Sequence, residues 1–223
     1  MSLITRALAL VIALAAALVF AACSGGGDDT PPTPTPRPAM TQAEARTFLA
    51  AASLTGSDLG ADYTQSSATY QTNAEAAAAR PDSANAATQF EEWGQILAYR
   101  VQYNAPASAD LLFNQKTAQM MNSTTIFATA EGAAASLEFL RSLPENVVAD
   151  FITGGDGATV LSDTRVQKDI EFPAKGDESF VWRVSGKATL SGGFVVNYVA
   201  DVVFIRAGDI NGSVITVALG QAP

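Results

Sequence analysis

Histidine is absent from this 223-residue chain. That absence removes Ser-His-Asp triads, Cys-His nucleophiles, imidazole metal sites and histidine switches near neutral pH. Cysteine is nearly absent too. Cys23 stands alone, so the chain has no intramolecular disulfide and no multi-thiolate zinc site. Cations are scarce: 13 Lys and Arg stand against 22 Asp and Glu, for a formal net charge of −9. So acidic a chain is a poor partner for nucleic acid or anionic lipid headgroups, both of which are held through Lys and Arg. The Gly25-Gly26-Gly27 run is no phosphate loop, because neither Lys-Ser/Thr nor a helix start follows it.

What is present begins at the N-terminus. Met1–Arg6 carries one positive charge, and fourteen uncharged residues rich in Ala, Leu and Val run from Ala7 to Phe20. Ala21-Ala22-Cys23 follows. A short basic start, an apolar core of this length and an exit of small residues predict a signal peptide over 1–22, too short to span a bilayer as a mature helix. The exit resembles the lipobox of bacterial lipoproteins, in which the cysteine is acylated and becomes the mature N-terminus. That resemblance implies lipidation at Cys23 and a membrane partner reached through lipid. Cleavage before Cys23 removes one cation and no anion, so the mature chain is more acidic still.

Residues 23–40 read as a tether. Gly25-Gly26-Gly27 is flexible, and the Pro repeat from Pro31 to Pro38 favours an extended polyproline II path of roughly 25 Å. The remainder, 41–223, is long enough for one domain held by its core without disulfides.

Periodicity organises that domain. Thr41 and Glu44 have capping-box spacing, and Ala45, Phe48, Leu49 and Ala52 then share a helical face. Residues 64–85 are poor in bulky apolar groups and read as a surface excursion with some helix. A second helix is predicted over Ala84–Trp93. Leu97, Tyr99, Val101 and Tyr103 then alternate with Ala98, Arg100 and Gln102, the pattern of a strand. Ser123–Ala128 predicts another strand, and Thr129 caps a helix through Ala133, Leu137 and Leu140 to Leu143. Thr159–Gln167, Ser179–Ser185, Phe194–Arg206 and Ile210–Leu219 complete the strands. The last two form a hairpin through Ala207-Gly208-Asp209. Phe194–Arg206 is apolar on both faces apart from Asn197 and Asp201, which suits a central strand. The fold class is therefore α+β: a twisted, mostly antiparallel sheet of about six strands with helices packed against it.

Gly94–Asn104, Ile126–Leu143, Gly176–Arg183 and the hairpin around Arg206-Ala207-Gly208 together resemble bacterial exported lipoproteins with an α+β sensor-like domain. The arrangement is similar to the extracellular sensor domains of mycobacterial serine/threonine kinases, and more loosely to PsbP-like domains. The resemblance implies an envelope protein that binds something outside the cytoplasm.

Candidate chemistry is thin. Ser57, Ser179 and Ser191 lack the Gly-x-Ser-x-Gly elbow and any histidine. Gly155-Asp156-Gly157 lacks the acidic ladder of a calcium loop. Apart from Lys and Tyr, carboxylates are the acid/base material left: Asp156 and Asp163 flank Thr159–Leu161 and Asp177-Glu178 opens a strand, and nothing in the sequence makes a pair converge. No catalytic residue, metal site or cofactor is assigned. Trp93 and Trp182 read as core anchors. Arg100 and Arg183 sit mid-strand, each opposite its strand's aromatics. They are expected to share one sheet face and to mark an anion site, since a guanidinium clamps carboxylate or phosphate in a two-pronged fashion. The functional expectation is a non-catalytic, lipid-anchored envelope protein binding a small ligand or an envelope protein. The alternatives are a carboxylate-dependent hydrolase and a structural or assembly factor.

Overall fold

The computed structural model describes residues 40–80, 82–106, 116–153, 160–189 and 193–220, without the side chains of 150, 151, 153, 160 and 161. The signal segment, Cys23 and nearly all of the tether lie outside the described residues. In chain order the elements are α1 (Gln42–Ala52), α2 (Gly56–Leu59), β1 (Thr64–Gln71), α3 (Asn73–Ala78), α4 (Ser83–Glu92) and β2 (Gln95–Asn104). They continue with β3 (Thr117–Phe127), α5 (Ala130–Ser142), α6 (Glu145–Thr153), β4 (Val160–Gln167), β5 (Glu178–Thr189), β6 (Val195–Ala207) and β7 (Ile210–Gly220).

The strands form one antiparallel sheet of seven in the order β1-β2-β3-β7-β6-β5-β4. That is one strand more than the sequence pattern indicates, and the addition is β1. Thr64–Gln71 is an edge strand, exposed over most of its length, so it has few apolar residues to bury and shows no alternation. The surface excursion expected over 64–85 is thus corrected for 64–71. The helix expected within it is α3, opened by a capping box between Thr72 and Glu75. Helix α6 has no counterpart in the sequence reading.

The helices lie on both faces. On the front, α1 starts at the Thr41–Glu44 capping box and buries Ala45 and Leu49 against Leu97 and Ile126. Its C-terminal end is pinned to the sheet. Leu54 N donates to Asn122 Oδ1 at 3.1 Å, Tyr103 Oη donates to Leu54 O at 2.9 Å, and Ser53 Oγ lies 3.0 Å from Thr124 Oγ1. On the back, Leu137 of α5 and Val148 and Ile152 of α6 pack on Phe180, Trp182, Val184, Tyr198, Val202 and Phe204. Thr129 caps α5 through Gly132 N. Lys168 Nζ donates to the carbonyls of Arg141 and Leu143 at its other end, where a cation complements the unpaired carbonyls.

Helices α3 and α4 cover β1 and β2 on the back, and Trp93 at the end of α4 meets Phe139 of α5 at 5.3 Å between ring centres. The central strand is β7, so the C-terminal hairpin occupies the middle of the sheet as its composition indicates. Apart from Asn197, Asp201 and Arg206, strand β6 is apolar on both sides. Its Tyr198, Ala200, Val202 and Phe204 enter the back core, while Val199, Val203 and Ile205 are half-buried on the front.

Candidate functional site

Arg183 stands on the front face directly across from Asp201 of β6. Its Nε donates to Oδ1 at 2.6 Å and its Nη2 to Oδ2 at 2.8 Å. This bond to a carboxylate holds the guanidinium above its usual pKa, against a smaller opposing effect of burial. The Nε–Nη2 edge of Arg183 is thereby committed to its own protein.

Arg100 stands on the back face. Across the strands it is aligned with Thr69 on one side, and with Ser123, Ser213, Phe204 and Phe180 on the other. Phe204 and Asp201 lie on opposite faces of β6, so Arg100 and Arg183 are on opposite faces of the sheet. The expectation that they share a face is corrected here, and the reason is specific. Each arginine does oppose its strand's aromatics. However, Tyr99 and Tyr103 point to α1 on the front, whereas Phe180 and Trp182 point to α5 and α6 on the back. Parity within a strand cannot relate two strands when helices cover both sides.

Among the described residues the Arg100 side chain has no hydrogen bond and no ion pair. It is accessible at the surface, yet lost hydration, and then the positive charge of Arg80, act to lower its pKa. Arg80 follows α3, where its N–H bonds to Ala77 O at 2.9 Å. Its guanidinium lies 5.3 Å from the Phe90 ring centre and 5.6 Å from that of Phe139. Burial lowers its pKa and Asp82 partly offsets this. Arg80 also makes no side-chain hydrogen bond or ion pair among the described residues. It escapes the sequence reading because 64–85 shows no pattern. The usable signal is the Thr72–Glu75 capping box, which starts a helix of alanines and delivers the cation at its end.

The other candidates are occupied or lie elsewhere. Asp163 is 2.8 Å from Lys187, whose hydrogen bond and charge lower its pKa. Asp177 accepts from Arg206 Nη1 at 3.2 Å and from Gly208 N at 2.7 Å. Glu178 accepts from Arg141 Nη1 at 2.6 Å. Asp156 and Ser191 fall outside the described residues. Ser179 Oγ accepts from Lys175 N, and Ser57 Oγ lies 2.7 Å from Thr55 Oγ1. Trp182 is fully buried and Trp93 is half-buried between Phe90 and Phe139. A surface hollow of about 370 Å³ between the end of α4 and the start of α5 is lined in part by Glu91, Glu92, Glu131 and Trp93. Among the described residues no group of three or more acidic, His or Cys side chains is placed to hold a metal ion.

No protein-family model and no curated protein sequence matches this chain. Among solved structures the chain is similar to the extracellular domain of PknH from Mycobacterium tuberculosis, at 11% identity and a TM-score of 0.47, over 82% of this chain and 89% of that one.

Proposed function

We propose that this protein is a lipid-anchored, non-catalytic envelope protein whose α+β domain binds a ligand outside the cytoplasm. The observation that carries the reading is the basic start and apolar run that end at Ala21-Ala22-Cys23. Acylation of Cys23 holds the chain on the membrane, and the Pro-rich tether carries the domain over residues 41–223 away from it. With no histidine and no second cysteine, the chain lacks the usual nucleophile and base pairs. Asp163, Asp177 and Glu178 are engaged by Lys187, Arg206 and Arg141, which disfavours a carboxylate-dependent hydrolase. Arg100 supports ligand binding, being a cation in mid-sheet that the described protein leaves unpaired.

The test is a thermal-shift screen of the Cys23→Ser chain against metabolites, sugars, lipids and metal ions. A compound that binds the native state raises its melting temperature. A rise that Arg100→Gln abolishes supports the reading. No rise with any class sinks the small-ligand half of it. A second reading, an assembly factor docking on another envelope protein, has one observation in its favour. Phe194 and Val195, at the entry to β6, are 72% and 59% exposed.

A further inference from the structure

We infer that β1 is a docking edge for a second copy of this chain, and that two copies pair their β1 strands antiparallel into one continuous sheet. The pairing stands on the strand itself. Its placement on a membrane rests on the lipid-anchored reading above.

The sheet has two edges, and they differ. Strand β4 is blunted. It carries Asp163 and Arg165, its pairing with β5 slips between Ser162 and Arg165, and Asp163 has a positive φ of 54°. Helix α6 packs against it. Charge, bulges and cover are what keep an edge from pairing with another chain. Strand β1 is far less protected. A bulge sets Ser66 apart near its start, and Ser67–Gln71 then runs in regular register. Thr64–Thr69 is exposed, and residues 63–74 contain neither a charge nor a proline. Helix α3 lies on the back face of β1. Among the described residues the backbone of β1 is bonded to β2 alone, so its outward N–H and C=O groups have no protein partner.

The occupant follows from charge and from the tether. With a formal net charge of −9, two copies repel each other over most of their surface. At β1 they meet without opposing carboxylates, and a charged peptide finds no counter-charge there. Paired about Thr69, the midpoint of the regular stretch, the strand also matches itself. Thr69 faces Thr69, Ala68 faces Tyr70 and Ser67 faces Gln71, with no like charges opposed.

Such pairing relates the copies by a two-fold axis normal to the sheet, so both fronts stay on one side. Met40, where the tether enters, packs with α1 on the front. Both tethers therefore leave toward one leaflet, and the axis runs along the bilayer normal, as two copies anchored in that leaflet require. The 17 residues 23–39 reach at most roughly 60 Å, enough to pass α1. A strand pair alone buries less than the roughly 1,000 Å² of a stable dimer. Confinement to a leaflet offsets this by holding the copies at high local concentration.

The experiment is crosslinking of the mature chain, reconstituted in phosphatidylcholine vesicles, with a short bismaleimide. Thr69→Cys should give a covalent dimer at least fivefold more than Ser162→Cys, which puts the thiol on the β4 edge. Adding Ala68→Lys to Thr69→Cys should remove that excess, while Ala68→Lys alone keeps the parent's melting temperature. Equal yields from Thr69→Cys and Ser162→Cys, no dimer from either, or a yield that Ala68→Lys leaves unchanged overturns the pairing. In membranes of the producing cell, a Thr69→Cys product that is mainly an adduct with a different protein overturns the second-copy assignment. The parent chain should give no dimer, because Cys23 is acylated. A parent that crosslinks through Cys23, or washes off the vesicles, overturns the anchoring reading instead. The same comparison of Thr69→Cys with Ser162→Cys, made in solution in a Cys23→Ser background, then decides the pairing.

Discussion

Arg183 and Asp201 face each other across β5 and β6 and share two hydrogen bonds, of 2.6 and 2.8 Å, on the front of the sheet. Their side chains remain 44% and 31% accessible, so water screens much of the attraction. A double-mutant cycle with Arg183→Gln and Asp201→Asn should give a coupling of up to about 1 kcal/mol. Neither variant should alter ligand binding, because the pair lies on the face opposite Arg100. Loss of ligand binding in Arg183→Gln would move the site to the front.

Phe204 is 2% exposed, stacks on Phe180 at 4.7 Å and meets the edge of Trp182 at 4.8 Å. Phe204→Ala should cost about 3–5 kcal/mol in chemical denaturation, through lost burial and the cavity left behind. A loss below about 1 kcal/mol would contradict the central position of β6 in the back core, since buried aromatics fall in the larger range.

Gly132 has no room for a side chain. A Cβ there would lie 1.9 Å from the carbonyl oxygen of Trp93, which is backbone and cannot rotate away. Gly132→Ala must therefore push the end of α4 from the start of α5. The expected cost is about 1–3 kcal/mol, read as a lower denaturation midpoint. An unchanged midpoint would mean that this junction is looser than described.

Tyr198 is 6% exposed, and burial pushes its phenol up to about 12. The unfolded chain releases this proton near pH 10, so between the two values the unfolded state binds fewer protons than the folded one. The resulting stability is fully present below pH 10 and is lost as pH rises toward 12. The shift corresponds to about 2–3 kcal/mol. Tyr198→Phe should flatten this alkaline limb of the stability profile while leaving stability at pH 7 within about 1 kcal/mol of the parent.

Most of the strands can be read from the sequence because burial writes a period into them. Tyr99, Val101 and Tyr103 alternate because only one side of β2 meets α1. Val195–Ala207 is apolar on both faces apart from Asn197, Asp201 and Arg206, because β6 lies inside the sheet. Thr41 and Thr129 mark helix starts because an unpaired N–H needs an acceptor, and both do cap. Thr64–Gln71 is silent because an edge strand takes its order from pairing with β2 rather than from burial. The site is only half legible for a related reason. Arg100 is visible as a cation in mid-strand, but which face it shares depends on strand order, which is a property of the whole sheet. Arg80 follows α3, and the placement of that helix over β2 is written in no local pattern.

The central claim is that the protein is held outside the cytoplasm by lipid on Cys23, and the mass of its mature N-terminal peptide tests this most directly. The account predicts a chain beginning at Cys23 and carrying acyl groups, recovered in the membrane fraction, with Cys23→Ser released from that fraction or left uncleaved. A mature chain that begins elsewhere without acyl mass, or a Cys23→Ser variant that is processed and fractionates like the parent, would contradict it.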